Sequence, residues 1–214
     1  MSKSVYSIVL MDDVVAAVDR LAYQNGTSRS NMINRILAEA AGMATPEQRK
    51  ADIFSAAESF INAQSVLQLL NGGEAMALRS ALTYKYNPSV RYVLELAPHR
   101  AEYLAQLRVS LRTQSPALLL CLDQFYAAWA ACEARCLPNK HFAWAAENGR
   151  YVRQLRLSPY AADEQTLGDA MARYVSIFDS CMKSYFSYLP DTAAAKNAAM
   201  QQYQQLSDEQ TNYL

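Results

Sequence analysis

The chain has 214 residues, 51% of them hydrophobic, and its 20 basic and 20 acidic side chains cancel to a formal net charge of zero. That balance excludes a protein held to nucleic acid or to a membrane surface by its overall charge, so any polyanion must be met locally. Only six glycines in a chain of this size and apolarity point to a compact, helix-rich protein, either one large domain or a small one followed by a medium one.

No apolar segment follows Lys3, so no secretory signal is expected. The first patterned stretch is Ser4 to Gly42. It opens on an alternating run in which Tyr6, Ile8 and Leu10 point one way and Val5, Ser7 and Val9 the other, the period of a strand with one buried face. Asp12 and Asp13 then supply the negative charge that a helix start favours, and Val14, Val15, Val18, Leu21 and Ala22 recur at helical spacing. Asn25-Gly26 ends that helix. Thr27 or Ser28 caps a second one, with Met32, Ile33, Ile36 and Leu37 on its apolar face and Gly42 at its close. About 40 residues in one strand and two short helices bury too little to stand alone, and a lone strand exposes unpaired backbone along both edges. Pairing with the same strand of a second copy satisfies both needs.

The order strand, helix, Gly26-Thr27-Ser28-Arg29-Ser30, helix resembles the ribbon-helix-helix repressors of the MetJ, Arc and CopG type, over roughly residues 3 to 42. The resemblance implies an intertwined homodimer whose two-stranded ribbon enters the major groove of double-stranded DNA. Base-facing positions are then Lys3, Val5, Ser7 and Val9. Phosphate would lie at Thr27, Ser28, Arg29 and Ser30, at the positive end of the second helix dipole. The dimer core would be Tyr6, Ile8, Leu10, Val14, Val18, Leu21, Ile33, Ile36 and Leu37. Valine can touch a thymine methyl but neither donates nor accepts a hydrogen bond, so readout falls to Ser7, Lys3 and DNA shape. Residues 1 to 44 carry four bases against four acids. The family is prokaryotic, which implies a bacterial cytoplasm; four cysteines in apolar helical patterns fit reduced thiols there.

Beyond residue 44 the expectation is an all-α bundle of six or seven helices over residues 45–214, giving a mainly α chain. Pro46 opens a helix to about Asn71, and a shorter one runs from Glu74 to about Tyr86. Ser89 to Leu96, SVRYVLEL, suits strand or helix; with no second strand-like segment nearby, helix is favoured, resuming after Pro98 through Arg112. Leu118, Leu122, Phe125, Trp129, Cys132 and Cys136 form one helical stripe, and Leu167, Met171, Tyr174, Phe178, Cys181 and Tyr185 another. Between them His141 to Leu157 reads as a helix weakened at Asn148-Gly149, and Asp191 caps a last helix to about Ser207. The most apolar run, Pro116 to Cys132, is interrupted by Asp123 and Gln124 and is shorter than the ~20 residues of a spanning helix, so no membrane segment is expected.

Catalytic and metal chemistry find little support. Cys132 and Cys136 share a stripe with Phe125 and Trp129 and read as small buried hydrophobes, and the paired ligand spacings of zinc sites are absent. His99 and His141 lie in no recognised motif. No metal, no cofactor and no enzyme activity are therefore expected. Charge in the second region is uneven: Arg79, Lys85, Arg91, Arg100, Arg108 and Arg112 stand against Glu95 and Glu102, whereas residues 160–214 carry seven acids and three bases. These could extend a DNA footprint, bind an anion, or pair with each other. The leading expectation is a dimeric DNA-binding transcriptional repressor whose helical domain senses a ligand, oligomerises or recruits a partner. The alternatives are an accessory factor for plasmid transfer or replication, and a dimeric protein-interaction module that touches no DNA.

Overall fold

The computed structural model describes residues 5–64, 67–70, 75–97, 103–136, 143–156 and 163–207. The chain divides into two compact units, Met1–Ala51 and Asp52–Leu214.

The first unit is a helical pair. Residues 5–11 form neither helix nor strand and are exposed throughout. Helix α1 (Asp12–Gln24) follows, with Asp12 and Asp13 in its first turn. It ends where Gly26 takes φ +58° and the Thr27 amide reaches back to the Ala22 carbonyl at 2.9 Å, the left-handed stop that glycine makes without strain. Helix α2 (Arg29–Ala40) is capped by Ser28, whose hydroxyl accepts from the Asn31 amide at 3.3 Å. The two helices bury Val18, Ala22 and Met32 between them, with Ile33 packed alongside.

The second unit corrects the expected fold class. The chain is not mainly α with a helical bundle after residue 44: it combines six helices with a six-stranded antiparallel sheet among the described residues, an α/β fold. Helix α3 (Pro46–Gln64) crosses from one unit to the other and stops short of Asn71. Then come β1 (Gln68–Leu70), β2 (Met76–Ala81), β3 (Ser89–Leu96), β4 (Ala105–Leu111), α4 (Pro116–Cys136), β5 (Trp144–Glu147), β6 (Arg150–Leu155), α5 (Glu164–Ser187) and α6 (Thr192–Leu206). In the sheet the order is β1-β2-β3-β4-β6-β5. Strands β2 to β6 therefore stand where helices were expected within 74–86, 89–112 and 141–157. SVRYVLEL does have partners, on both sides, in MALRSA and AQLRVSL, which share its alternation of buried and outward residues. Asn148-Gly149 is no weak point in a helix. Both residues adopt positive φ, +51° and +71°, and make the tight turn of the β5–β6 hairpin. Among the described residues no helix is long and apolar enough to cross a membrane.

One face of the sheet is covered. Tyr92, Val109 and Tyr151 stand in one cross-strand row, and Leu94, Leu107 and Arg153 in the next, all buried. Against them lies α5, which is buried along most of its length. Its Phe178 ring meets the rings of Tyr92, Phe125, Tyr126, Trp129 and Tyr151 at centroid distances of 4.9–6.3 Å. Gly168 lets α3 approach α5 closely: a β-carbon there would stand 2.6 Å from the Ala56 β-carbon and 2.8 Å from the Ala57 amide nitrogen. Replacing Gly168 by Ala is expected to destabilise this unit. Overpacking against backbone costs about 3 kcal/mol, of which helix propensity returns about 1 kcal/mol, so chemical denaturation should show a net loss of about 2 kcal/mol.

Candidate nucleic-acid interface

Every expected DNA-contacting residue of the first unit but one has a definite setting. Lys3 lies outside the described residues. Val5, Ser7 and Val9 are exposed, the two valines completely, but so are Tyr6, Ile8 and Leu10, expected on the opposite, buried side. Of the expected dimer core, Val18 is buried and Ile33 half-buried, whereas Val14, Leu21, Ile36 and Leu37 are exposed as well. A single chain thus leaves seven of nine expected core side chains in water: Tyr6, Ile8, Leu10, Val14, Leu21, Ile36 and Leu37.

At the start of α2, Ser28, Arg29 and Ser30 are exposed and Thr27 half-buried. With the Ser28 hydroxyl on Asn31, the amides of Arg29 and Ser30 are the first-turn donors that face outward, at the positive end of the dipole. The Arg29 guanidinium is engaged elsewhere. It grips Asp19 of α1 with both Nε and Nη2, each at 2.6 Å from a carboxylate oxygen. This bidentate pair and the Arg35 to Asn25 hydrogen bond at 3.3 Å tie α2 to α1. Arg29 therefore acts first as a clamp between the helices, a role that its spacing of ten residues from Asp19 did not suggest.

The second unit carries a buried polar network that sequence reasoning missed. Arg153 of β6 reaches Glu133 of α4 at 2.9 Å and 3.1 Å, Tyr174 of α5 donates to Glu133 at 2.9 Å, and Trp129 donates to the Tyr174 hydroxyl at 3.0 Å. The guanidinium also lies 4.5 Å above the Tyr174 ring. Burial pushes the Glu133 carboxyl up, with Arg153 opposing it. Nearby, Tyr92 donates to Asp179 at 2.8 Å, and Lys183 closes on the same carboxylate at 2.7 Å. Arg153, Glu133, Tyr174, Tyr92 and Asp179 are enclosed and join sheet to helices; breaking a buried pair such as Arg153–Glu133 from one side typically costs about 3–5 kcal/mol. Cysteine chemistry is equally enclosed: burial, aided by Cys136, pushes the Cys132 thiol up to about 12. Among the described residues no three His, Cys, Asp or Glu side chains are grouped to hold a metal ion.

The opposite face of the sheet carries Arg79, Arg91 and Arg108 from β2, β3 and β4, all three exposed, beside the half-buried Val93 and Val152. The sequence held the signal, since each arginine sits in the outward phase of its alternating strand, but only the strand register brings them together. Comparison with protein-family models, curated proteins and solved structures found no match.

The Arg29 hydrogen bonds hold the Asp19 carboxyl below its ordinary value of 3.8. A depressed carboxyl contributes stability above its unfolded value, and that contribution is lost as pH falls through the lower folded value. In Arg29→Ala the Asp19 titration, followed by carbon-13 NMR of the carboxyl, should move back up toward 3.8. Identical curves in the two proteins would contradict the clamp.

Proposed function

We propose that this chain is a sequence-specific DNA-binding transcriptional regulator, most simply a repressor, that acts as a homodimer in the bacterial cytoplasm. The observation that carries the reading is the unfinished first unit. A core of Val18, Ala22 and Met32 is small for two helices, and the apolar residues left exposed at 6, 8, 10, 14, 21, 36 and 37 are those that a second copy would cover. Residues 5–10 keep their alternating pattern and have no strand partner among the described residues. Pairing them across a two-fold axis would place Tyr6, Ile8 and Leu10 inward and Val5, Ser7 and Val9 outward, as in a ribbon-helix-helix dimer. The α2 start would then offer the Arg29 and Ser30 amides to phosphate, with Arg29 orienting α2 through Asp19. An effector or partner would act on the α/β unit.

Engagement of Arg29 by Asp19 and the valines on the outward face favour a second reading, a dimeric module that binds protein and no DNA. Selection of duplexes from a random pool that includes the sequence upstream of the protein's own gene separates the two. The regulator should retain a defined sequence, weaken steeply with salt, and lose about tenfold or more in affinity on Ser7→Ala. A folded dimer that retains no duplex would leave only the interaction module.

A further inference from the structure

The outward sheet face juxtaposes like charges. Arg79 and Arg91 are direct cross-strand partners, and Arg108 is level with Val93, diagonal to Arg91 on the next strand. Strand spacing of about 4.8 Å and a diagonal of about 7–8 Å set the three guanidinium stems within one small patch. Arg108 is neutralised by Glu95 at 2.9 Å and also bonds Gln106 at 3.1 Å. Among the described residues Arg79 bonds the neutral Gln68, at 2.8 Å, and neither it nor Arg91 has a carboxylate partner. Directly opposed like charges weaken a sheet. Such a pair makes sense where an external anion relieves it.

Around the arginines the described face carries amides and hydroxyls, with Val93 and Val152 flanking Arg108, and no aromatic side chain. Gln68 is level with Arg79, Ser110 with Arg91, and Gln106 lies between Glu95 and Gln154. The tyrosines of β3 and β6, Tyr92 and Tyr151, point into the core. A sheet that grips single strands presents aromatic platforms for bases, which this face lacks among the described residues. Exposed guanidiniums with neutral hydrogen-bonding neighbours suit the regularly spaced phosphates of a duplex.

We infer that the outward face of the sheet, through Arg79 and Arg91, docks the phosphate backbone of double-stranded DNA without regard to sequence. The inference deepens the proposed function and rests on it for the identity of the polyanion. It gives the α/β unit an affinity role, with sequence choice left to the first unit.

The test compares four full-length proteins on a selected duplex and on a random duplex over a salt series: the unaltered chain, Arg79→Gln/Arg91→Gln, Val5→Asp/Val9→Asp, and all four changes together. All four positions are exposed, and removing opposed charges should leave thermal stability equal or higher. The glutamine pair should weaken both duplexes alike and lower the salt slope by about 0.9 for each phosphate left without its arginine. The aspartate pair should abolish the preference for the selected duplex while random-duplex binding persists, and the combined protein should bind neither. Equal random-duplex binding with and without the glutamine changes would overturn the docking face and leave the first unit's reading intact. A preference that survives the aspartates would sink the ribbon reading alone. Displacement of duplex by polyglutamate or by oligo(dT) at equal charge would overturn the duplex assignment, as would failure of the unaltered chain to bind duplex.

Discussion

Phe178 is the point through which the second unit holds together. Its ring touches aromatic side chains of β3, α4 and β6, so one side chain of α5 joins the sheet to the helical layer. Everything near it follows from enclosing that helix. Asp179, the next residue, is buried with it and must be satisfied by Tyr92 and Lys183. Tyr174, one turn earlier, meets Glu133 and Arg153. Gly168, farther toward the helix start, gives up its side chain so that α3 can close the far side. The polar groups here lock orientation rather than face a cleft, and on the outward side of the sheet Arg79, Arg91 and Arg108 are exposed.

The first unit meets the same requirement of closing apolar surface and does not meet it alone. Where α5 is surrounded, α1 and α2 have each other and little more, and their strongest mutual bond, Arg29 to Asp19, is exposed to solvent and so contributes modestly. On the proposed reading a second copy would complete the two-helix unit and its extended N-terminal segment, and this asymmetry between the units underlies the proposed division of labour. The first unit would become ordered and specific by pairing, while the second already encloses a large apolar core.

Helices are legible in the sequence where an apolar stripe recurs at helical spacing. The stripes through Leu118, Leu122, Phe125 and Trp129 and through Leu167, Met171, Tyr174 and Phe178 fall on α4 and α5, and the caps Ser28 and Asp191 are where short acceptor side chains precede a periodic run. Strands escape the same reading for a definite reason. MALRSA, SVRYVLEL and AQLRVSL are each too short for periodicity to separate strand from helix, and only the three taken together reveal one shared alternation. Asn148-Gly149 is a legible hairpin turn that looks like a flaw only when a helix is assumed around it. The Arg29–Asp19 clamp, the Arg153–Glu133 pair and the patch of Arg79, Arg91 and Arg108 lie beyond sequence reading. Each depends on tertiary placement or strand register that no local pattern encodes.

The central claim, that the first unit is completed by a second copy through residues 5–10, is tested most directly by amide hydrogen exchange along that segment as a function of protein concentration. Alternate amides of residues 5–10 should be protected, as in an antiparallel two-stranded ladder, and protection should fall on dilution together with the measured mass of the particle. Unprotected exchange throughout 5–10 at concentrations where the α/β unit is folded would contradict it.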